Sequence, residues 1–180
     1  MGIPPGPGAD GGVRSERTAA RRSVAARAFI LAVASGLVIV LVLAASVADS
    51  ILGWGLPPAL KTPGVVAVAV GLALIVWAEV ALLQTARSTG GFGDAPEVLV
   101  ARGPYRYVRN PIYLGAFCLL IGLAGWRGSP TLLLAGAAFL PLMHLFVVRV
   151  EEPATSRRLG AAYEAYLESV PRWLPRRGPS

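Results

Sequence analysis

The chain has 180 residues, of which 54% are hydrophobic and only 15% are charged, a balance that excludes an ordinary soluble domain and favours an integral membrane protein. The formal net charge is +7, but long apolar runs separate the basic residues, so we predict no nucleic-acid partner. A single cysteine, Cys118, can form neither a disulfide nor a cysteine-based zinc site within one chain, and we predict no metal site.

Three regions follow one another along the chain. Residues 1–26 are rich in Gly, Pro, Ala and Arg without apolar periodicity, which predicts a disordered basic tail. Residues 27–175 are predicted to form one helical membrane domain, and residues 176–180 a short tail. The apolar runs predict an all-α integral membrane fold of about four transmembrane helices, at 28–48, 65–83, 112–126 and 131–150.

The individual runs carry further expectations. The first exceeds the apolar region of a signal peptide, so we predict a retained span. The third has about 15 residues, which is short for a span and requires tilt or interfacial extension. Gly115 and Gly122 lie seven residues apart on its surface and would let another helix approach closely. From Ala154 onward the spacing of apolar residues predicts one amphipathic cytoplasmic helix, which Pro171 ends.

Basic residues indicate how the helices are oriented. Of the 17 Lys and Arg residues, all but Lys61 and Arg127 fall in the two terminal regions or between the second and third helices. By the positive-inside rule, this distribution predicts a multi-pass protein of the inner (cytoplasmic) membrane with both termini in the cytoplasm.

Polar residues collect at the predicted cytoplasmic end of the third and fourth helices. Residues 99–115 lead into the third helix, and Glu151-Glu152-Pro153 ends the fourth. A hairpin would bring the two groups together. Adjacent acids at a membrane boundary need partners, so they either form a ligand site or pair with Arg109, Arg149 or lipid headgroups.

These same residues carry a family resemblance. Gly103-Pro-Tyr-Arg-Tyr-Val-Arg-Asn-Pro-Ile-Tyr-Leu-Gly115, then Glu151-Glu152-Pro153, then Gly160, Tyr163, Tyr166 and Val170-Pro171-Arg172, resemble the isoprenylcysteine carboxyl methyltransferase and phospholipid methyltransferase superfamily. The resemblance covers roughly residues 97–175, the cofactor half of the domain. It implies a helical membrane enzyme that binds S-adenosyl-L-methionine in a cytoplasmic pocket.

The resemblance also implies which residues bind the cofactor. The first glutamate of the pair, Glu151, would bind hydroxyl or amino groups of the cofactor. The implied cofactor-binding residues are Leu99, Val100, Tyr105, Arg109, Asn110, Pro111, Ile112 and Glu151.

No catalytic residue is assigned; the candidates are Asn110, His144 and Glu152. Asn110 stands where the family usually has histidine, and an amide cannot take up a proton near neutral pH. His144 lies seven residues before Glu151, on roughly the same helical face, and is either a base or a packing residue. An arginine that holds prenylcysteine in eukaryotic members has no secure counterpart, so prenylcysteine is not the predicted substrate.

The predicted function is methyl transfer to a small hydrophobic or lipid-linked acceptor, with the lipid bilayer as the acceptor's route to the site. The alternative is a non-catalytic membrane scaffold or partner protein that retains the methyltransferase fold. A channel or transporter is disfavoured because polar residues do not recur through the depth of several helices. The sequence does not specify the acceptor or the oligomeric state.

Overall fold

The computed structural model describes residues 36–88 and 99–175, so the predicted tails at 1–26 and 176–180 lie outside the described residues. All regular elements within these two ranges are helical, which confirms the all-α fold class. The first helix, α1, has its described part at Gly36–Leu52. The others are α2 at Lys61–Ser88, α3 at Pro111–Arg127, α4 at Pro130–Phe146, α5 at Glu152–Leu159 and α6 at Ala161–Ser169. Short 3-10 turns occur at Pro58–Leu60 and Gly103–Arg106, and a π turn at Val147–Glu151.

Two continuous helical stretches are long and apolar enough to cross a bilayer. They are Pro58–Thr85, with 28 residues, and Pro130–Leu159, with 30 residues. The described part of α1 and the whole of α3 are shorter apolar helices. Large apolar side chains cover the outer surfaces of α1 and α2, for example Ile51, which is 78% exposed. An apolar exterior of this extent is suited to lipid rather than to water.

Helices α2 and α3 are in backbone contact through glycine. A Cβ atom on Gly71 would lie 2.6 Å from the Gly115 carbonyl oxygen, and one on Gly122 would lie 2.5 Å from the Val68 nitrogen. Both distances are too short for a real Cβ contact, so only glycine permits this approach. The prediction that Gly115 and Gly122 admit a neighbouring helix is therefore confirmed, and the neighbour is α2.

A tight turn joins α3 to α4. Gly128 ends α3 with a φ of 71°, a left-handed conformation that glycine adopts without strain. The Ser129 hydroxyl then caps α4 by accepting a hydrogen bond from the Leu132 N–H at 3.1 Å. The turn makes α3 and α4 antiparallel neighbours, so the start of α3 and the end of α4 lie at the same end of the bundle.

Asp49, near the end of α1, fastens that helix to the turn. Its carboxylate accepts hydrogen bonds from the Ser129 hydroxyl, from the Thr131 N–H at 3.1 Å and from the Thr131 hydroxyl at 2.6 Å. The Trp54 indole N–H donates a further one at 2.7 Å. Ser129 and Thr131 lie 80 and 82 positions from Asp49 in sequence, whereas Trp54 lies five positions away. The cluster therefore locks α1 onto the α3–α4 hairpin.

The ends of three predicted helices were wrong. Helix α1 continues to Leu52, beyond the predicted 48. Helix α2 begins at Lys61 and continues to Ser88, beyond the predicted 65–83. Pro63 lies in its first turn, where a missing N–H costs little. The fourth helix does not end at Glu151-Glu152-Pro153, because helical structure continues to Leu159. A π turn, in which the Glu152 N–H donates to the Val147 carbonyl, precedes Pro153 and accommodates the proline within the helix.

The predicted C-terminal amphipathic helix is two helices. Gly160 separates α5 from α6 and has a φ of 57°. This conformation breaks the regular helix and lets α6 turn back toward the start of α3, where the Tyr166 hydroxyl donates a hydrogen bond of 2.6 Å to the Tyr105 carbonyl.

Candidate active site

A cavity of about 320 Å³ lies at the end of the bundle where α3 begins and the π turn leads into α5. Its walls come from the end of α2, the segment before α3, the first turn of α3, the π turn, α5 and α6. A volume of this size is within the range of roughly 300 to 1,000 Å³ found for small-molecule pockets. The cavity is at the opposite end of the α3–α4 hairpin from Asp49.

All eight residues that the sequence resemblance assigns to cofactor binding line this cavity. These residues lie close together because the hairpin places the segment before α3 and the first turn of α3 beside the π turn. Their role in binding a cofactor stays a prediction. The eight are Leu99, Val100, Tyr105, Arg109, Asn110, Pro111, Ile112 and Glu151.

The other catalytic candidates, His144 and Glu152, are not among the residues that line the cavity. Nδ1 of His144 accepts a hydrogen bond of 3.1 Å from the Trp173 indole N–H. The prediction that His144 shares a face with Glu151 assumed a regular α-helix, and the π turn between them changes the helical phase. Glu152 instead forms ion pairs behind the cavity wall.

Seven lining residues were missed by the sequence assignment. Tyr113 follows Asn110 by three residues, a spacing that places both on one face of the helix start and could have indicated it. Leu82 gave no signal, because α2 is apolar along most of its length. The seven are Leu82, Tyr113, Thr155, Arg158, Leu159, Tyr163 and Tyr166.

Glu151 is the acidic residue of the cavity. Its carboxylate accepts one hydrogen bond, of 3.0 Å, from the Tyr113 hydroxyl. Its backbone carbonyl accepts another from the Thr155 hydroxyl at 2.8 Å, which fixes the π turn. Within the described residues Glu151 forms no ion pair. A partly buried carboxylate in this state favours a cationic or hydrogen-bond-donating ligand.

Glu152 is, by contrast, held between two arginines. Its Oε1 atom accepts a hydrogen bond from Arg109 at 2.8 Å, and both its oxygens accept from Arg172, at 2.9 and 2.8 Å. The side chains of Glu152 and Arg109 are each 12% exposed. The hydrogen bond to Glu152 raises the pKa of Arg172, so this guanidinium stays protonated at neutral pH. Both oxygens of Glu152 are therefore engaged within the protein. For this residue, the alternative that the adjacent acids pair with arginine describes the observed contacts.

Two tyrosines of α6 complete the wall. Burial raises the pKa of both Tyr163 and Tyr166, so both phenols are neutral at physiological pH. Their rings lie 6.0 Å apart between centroids. Tyr166 already donates to the Tyr105 carbonyl, which ties α6 to the segment before α3. The site thus combines a carboxylate, two guanidinium groups and neutral aromatic surfaces.

Comparisons with known proteins identify a family. Residues 60–162 match a family model described as phospholipid methyltransferase. A stretch of 78 residues, 43% of this chain, is 33% identical to the nickel-cobalt-cadmium resistance protein NccN of Alcaligenes xylosoxydans xylosoxydans, and it spans 36% of that protein's length. No solved structure matches the chain. The family match covers more than half of the chain and includes most of the cavity lining, and on this basis the chain belongs to the phospholipid methyltransferase family.

Proposed function

We propose that the protein transfers a methyl group from S-adenosyl-L-methionine to a small hydrophobic or lipid-linked acceptor at the cytoplasmic face of the inner membrane. Membership of the family supports a methyltransferase that acts on lipid-related substrates. The observation that carries the proposal is the carboxylate of Glu151, which lines the cavity and has one hydrogen-bond donor and no described cation partner.

The residues present fit this cofactor. Glu151 can accept hydrogen bonds from hydroxyl or ammonium groups, and its negative charge favours a sulfonium nearby. Arg109 also lines the cavity, where its guanidinium charge can attract an anionic group such as a ligand carboxylate. The aromatic faces of Tyr163 and Tyr166 are suited to contact with a cation. The donor set and the cavity volume therefore match a cationic, polar nucleoside ligand.

When bound, S-adenosyl-L-methionine supplies an electrophilic methyl group. The protein's contribution to such a reaction is orientation of the two reactants and exclusion of water. Glu151 and Arg109 would orient the polar groups of the cofactor. Leu82, Leu99 and Ile112 give the cavity an apolar wall that excludes water. Asn110 can orient a ligand but cannot act as a base near neutral pH.

The surroundings of the cavity support a lipophilic acceptor. Helices α1 and α2 present apolar surfaces outward, so an acceptor dissolved in the bilayer can reach the bundle from the side. The distribution of Lys and Arg supports placing the cavity, with both termini, on the cytoplasmic side. Arg158, exposed on α5, lies among the lining residues and would face the polar headgroup region.

The relative named for nickel, cobalt and cadmium resistance does not change this proposal. Among the residues that the structure describes, no group of three or more His, Cys, Asp or Glu side chains could hold a metal ion. The proposal takes from the comparisons only the methyltransferase activity of the family.

Calorimetric titration of the detergent-purified protein with S-adenosylhomocysteine tests the proposal. We expect saturable binding by the wild type and a loss of affinity of about 100-fold in Glu151→Ala, since hydrogen bonds to a charged group contribute roughly 1.5 to 3 kcal/mol. Asn110→Ala should weaken binding less, because the Asn110 amide already donates to the Arg172 carbonyl at 3.4 Å.

Glu164→Ala is the matched control for Glu151→Ala. It removes the same charge from an exposed position of α6 outside the cavity, and it should bind like the wild type. A well-folded wild type that fails to bind S-adenosylhomocysteine in a suitable lipid would overturn the proposal and favour the non-catalytic scaffold.

A further inference from the structure

The short segment Val170–Trp173, here called the strap, follows α6 and joins it to residues of the cavity wall. Its backbone accepts two hydrogen bonds from cavity residues: the Arg109 N–H donates to the Pro171 carbonyl at 2.9 Å, and the Asn110 side-chain amide donates to the Arg172 carbonyl at 3.4 Å. The strap thus contacts two neighbouring residues of the cavity wall, and none of its own residues lines the cavity.

The side chains of the strap fasten it to the long fourth helix. Trp173 donates to His144, and Arg172 donates two hydrogen bonds to Glu152. Glu152 in turn accepts from Arg109, so one carboxylate connects the strap to a residue that lines the cavity. Because Arg172 engages both oxygens of Glu152, it fixes the plane of the carboxylate and with it the position offered to Arg109.

We infer that Glu152 and Arg172 are positioning residues, which hold Arg109 in the cavity wall and make ligand binding depend on docking of the strap. The inference rests on the proposed function, because the ligand is the proposed cofactor. Neither residue lines the cavity, so each acts through Arg109.

The contacts of Glu152 support two effects: the docked strap strengthens ligand binding, and the bound ligand stabilises the docked strap. Without Arg172, the Glu152 carboxylate keeps only the Arg109 hydrogen bond and is free to rotate, so Arg109 loses its fixed position. A small displacement of a group that binds a ligand reduces affinity strongly. Linkage requires the reverse effect as well: a ligand that binds only when the strap is docked must stabilise the docked strap by the same free energy.

Titration with S-adenosylhomocysteine gives the first test. Arg172→Ala should bind about tenfold more weakly than the wild type or worse. Arg172→Lys keeps the charge but cannot make two parallel hydrogen bonds, so it should recover part of the loss. Arg157→Ala, which removes the same charge from an exposed position of α5, is the control and should bind like the wild type. The double variant Glu152→Ala with Arg172→Ala should bind no more weakly than Glu152→Ala alone, because both changes break the same connection between the strap and Arg109.

Hydrogen exchange without ligand gives the second test. The Arg109 amide is protected by its hydrogen bond to the strap, so Arg172→Ala should accelerate exchange at Arg109 and leave the amides in the middle of α3 unchanged. In the wild type, S-adenosylhomocysteine should slow exchange at Arg109 further.

The outcomes separate this inference from the proposed function. If the wild type does not bind S-adenosylhomocysteine, both are overturned. If the wild type binds and Arg172→Ala binds equally well, only the positioning role is overturned. Should Arg172→Ala fail to fold, Arg172→Lys decides the question: wild-type affinity with unchanged exchange at Arg109 would overturn the inference.

Discussion

Asp49 of α1 lies beside the turn of the α3–α4 hairpin and Glu151 lies at the opposite end, and these two carboxylates have different surroundings. Asp49 accepts four hydrogen bonds, from Trp54, Ser129 and Thr131, and so it has little capacity for a ligand. Glu151 accepts one side-chain hydrogen bond and lines a cavity. The number of donors already engaged therefore separates a carboxylate that stabilises the fold from one that is available to a ligand.

The same criterion divides the two neighbouring glutamates. Glu152 is shared by two arginines and serves the structure of the site, whereas Glu151 has no described cation partner. Two adjacent residues of one type thus have different roles, because successive positions on a helix point about 100° apart and meet different neighbours.

The largest effect is expected from a change that separates α2 from α3, because both the Asp49 end and the cavity end of the bundle depend on the packing of these helices. Gly122→Ala places a methyl group 2.5 Å from the Val68 nitrogen, so α2 and α3 must separate. Overpacking of this kind typically costs about 1 to 3 kcal/mol, and a clash with backbone belongs at the upper limit. We expect a lower melting temperature in detergent and weaker binding of S-adenosylhomocysteine.

Gly36→Ala is the matched control for this change. Gly36 lies on α1, and a Cβ there would meet no atom within 4 Å. Alanine also favours helix over glycine by about 1 kcal/mol, so stability should be unchanged or slightly higher. Equal melting temperatures for Gly122→Ala and the wild type would show that the close α2–α3 contact is not required.

A smaller and more selective effect is expected at the Asp49 end. Asp49→Ala leaves the hydroxyls of Ser129 and Thr131 without their acceptor, which should lower the free energy of unfolding by about 2 kcal/mol. Asp49→Asn keeps an acceptor oxygen and should cost about half as much. Thermal unfolding in detergent measures both, and titration with S-adenosylhomocysteine should give wild-type affinity in each folded variant. Loss of binding in folded Asp49→Ala would show that the two ends are coupled.

Much of this organisation could be predicted from the sequence. The lengths of the apolar runs predicted the membrane helices, and the short turn before Pro130 predicted a hairpin that brings residues 99–112 to Glu151. Glycine spacing in α3 predicted close helix contact, because a missing side chain has the same consequence in any helical setting.

Other features could not be predicted, because they depend on contacts between distant residues or on local helix geometry. The Asp49 cluster joins residues about 80 positions apart, and no local pattern identifies its donors. The π turn before Pro153 shifts the helical phase between His144 and Glu151, and His144 does not line the cavity. The break at Gly160 depends on a positive φ that amphipathic spacing alone does not reveal.

The smallest effect is expected from loss of the one side-chain hydrogen bond that the Glu151 carboxylate accepts, where Asp49 accepts four. Tyr113→Phe removes the hydroxyl that donates to the Glu151 carboxylate at 3.0 Å and retains the ring. If that bond orients the carboxylate toward a ligand, its loss should weaken S-adenosylhomocysteine binding about fivefold, corresponding to roughly 1 kcal/mol, with little change in melting temperature. Tyr107→Phe, at a tyrosine that is 49% exposed and outside the cavity lining, is the control. Tighter binding by Tyr113→Phe would mean instead that the phenol competes with the ligand for Glu151, and that a carboxylate with no donor at all is the better binding group.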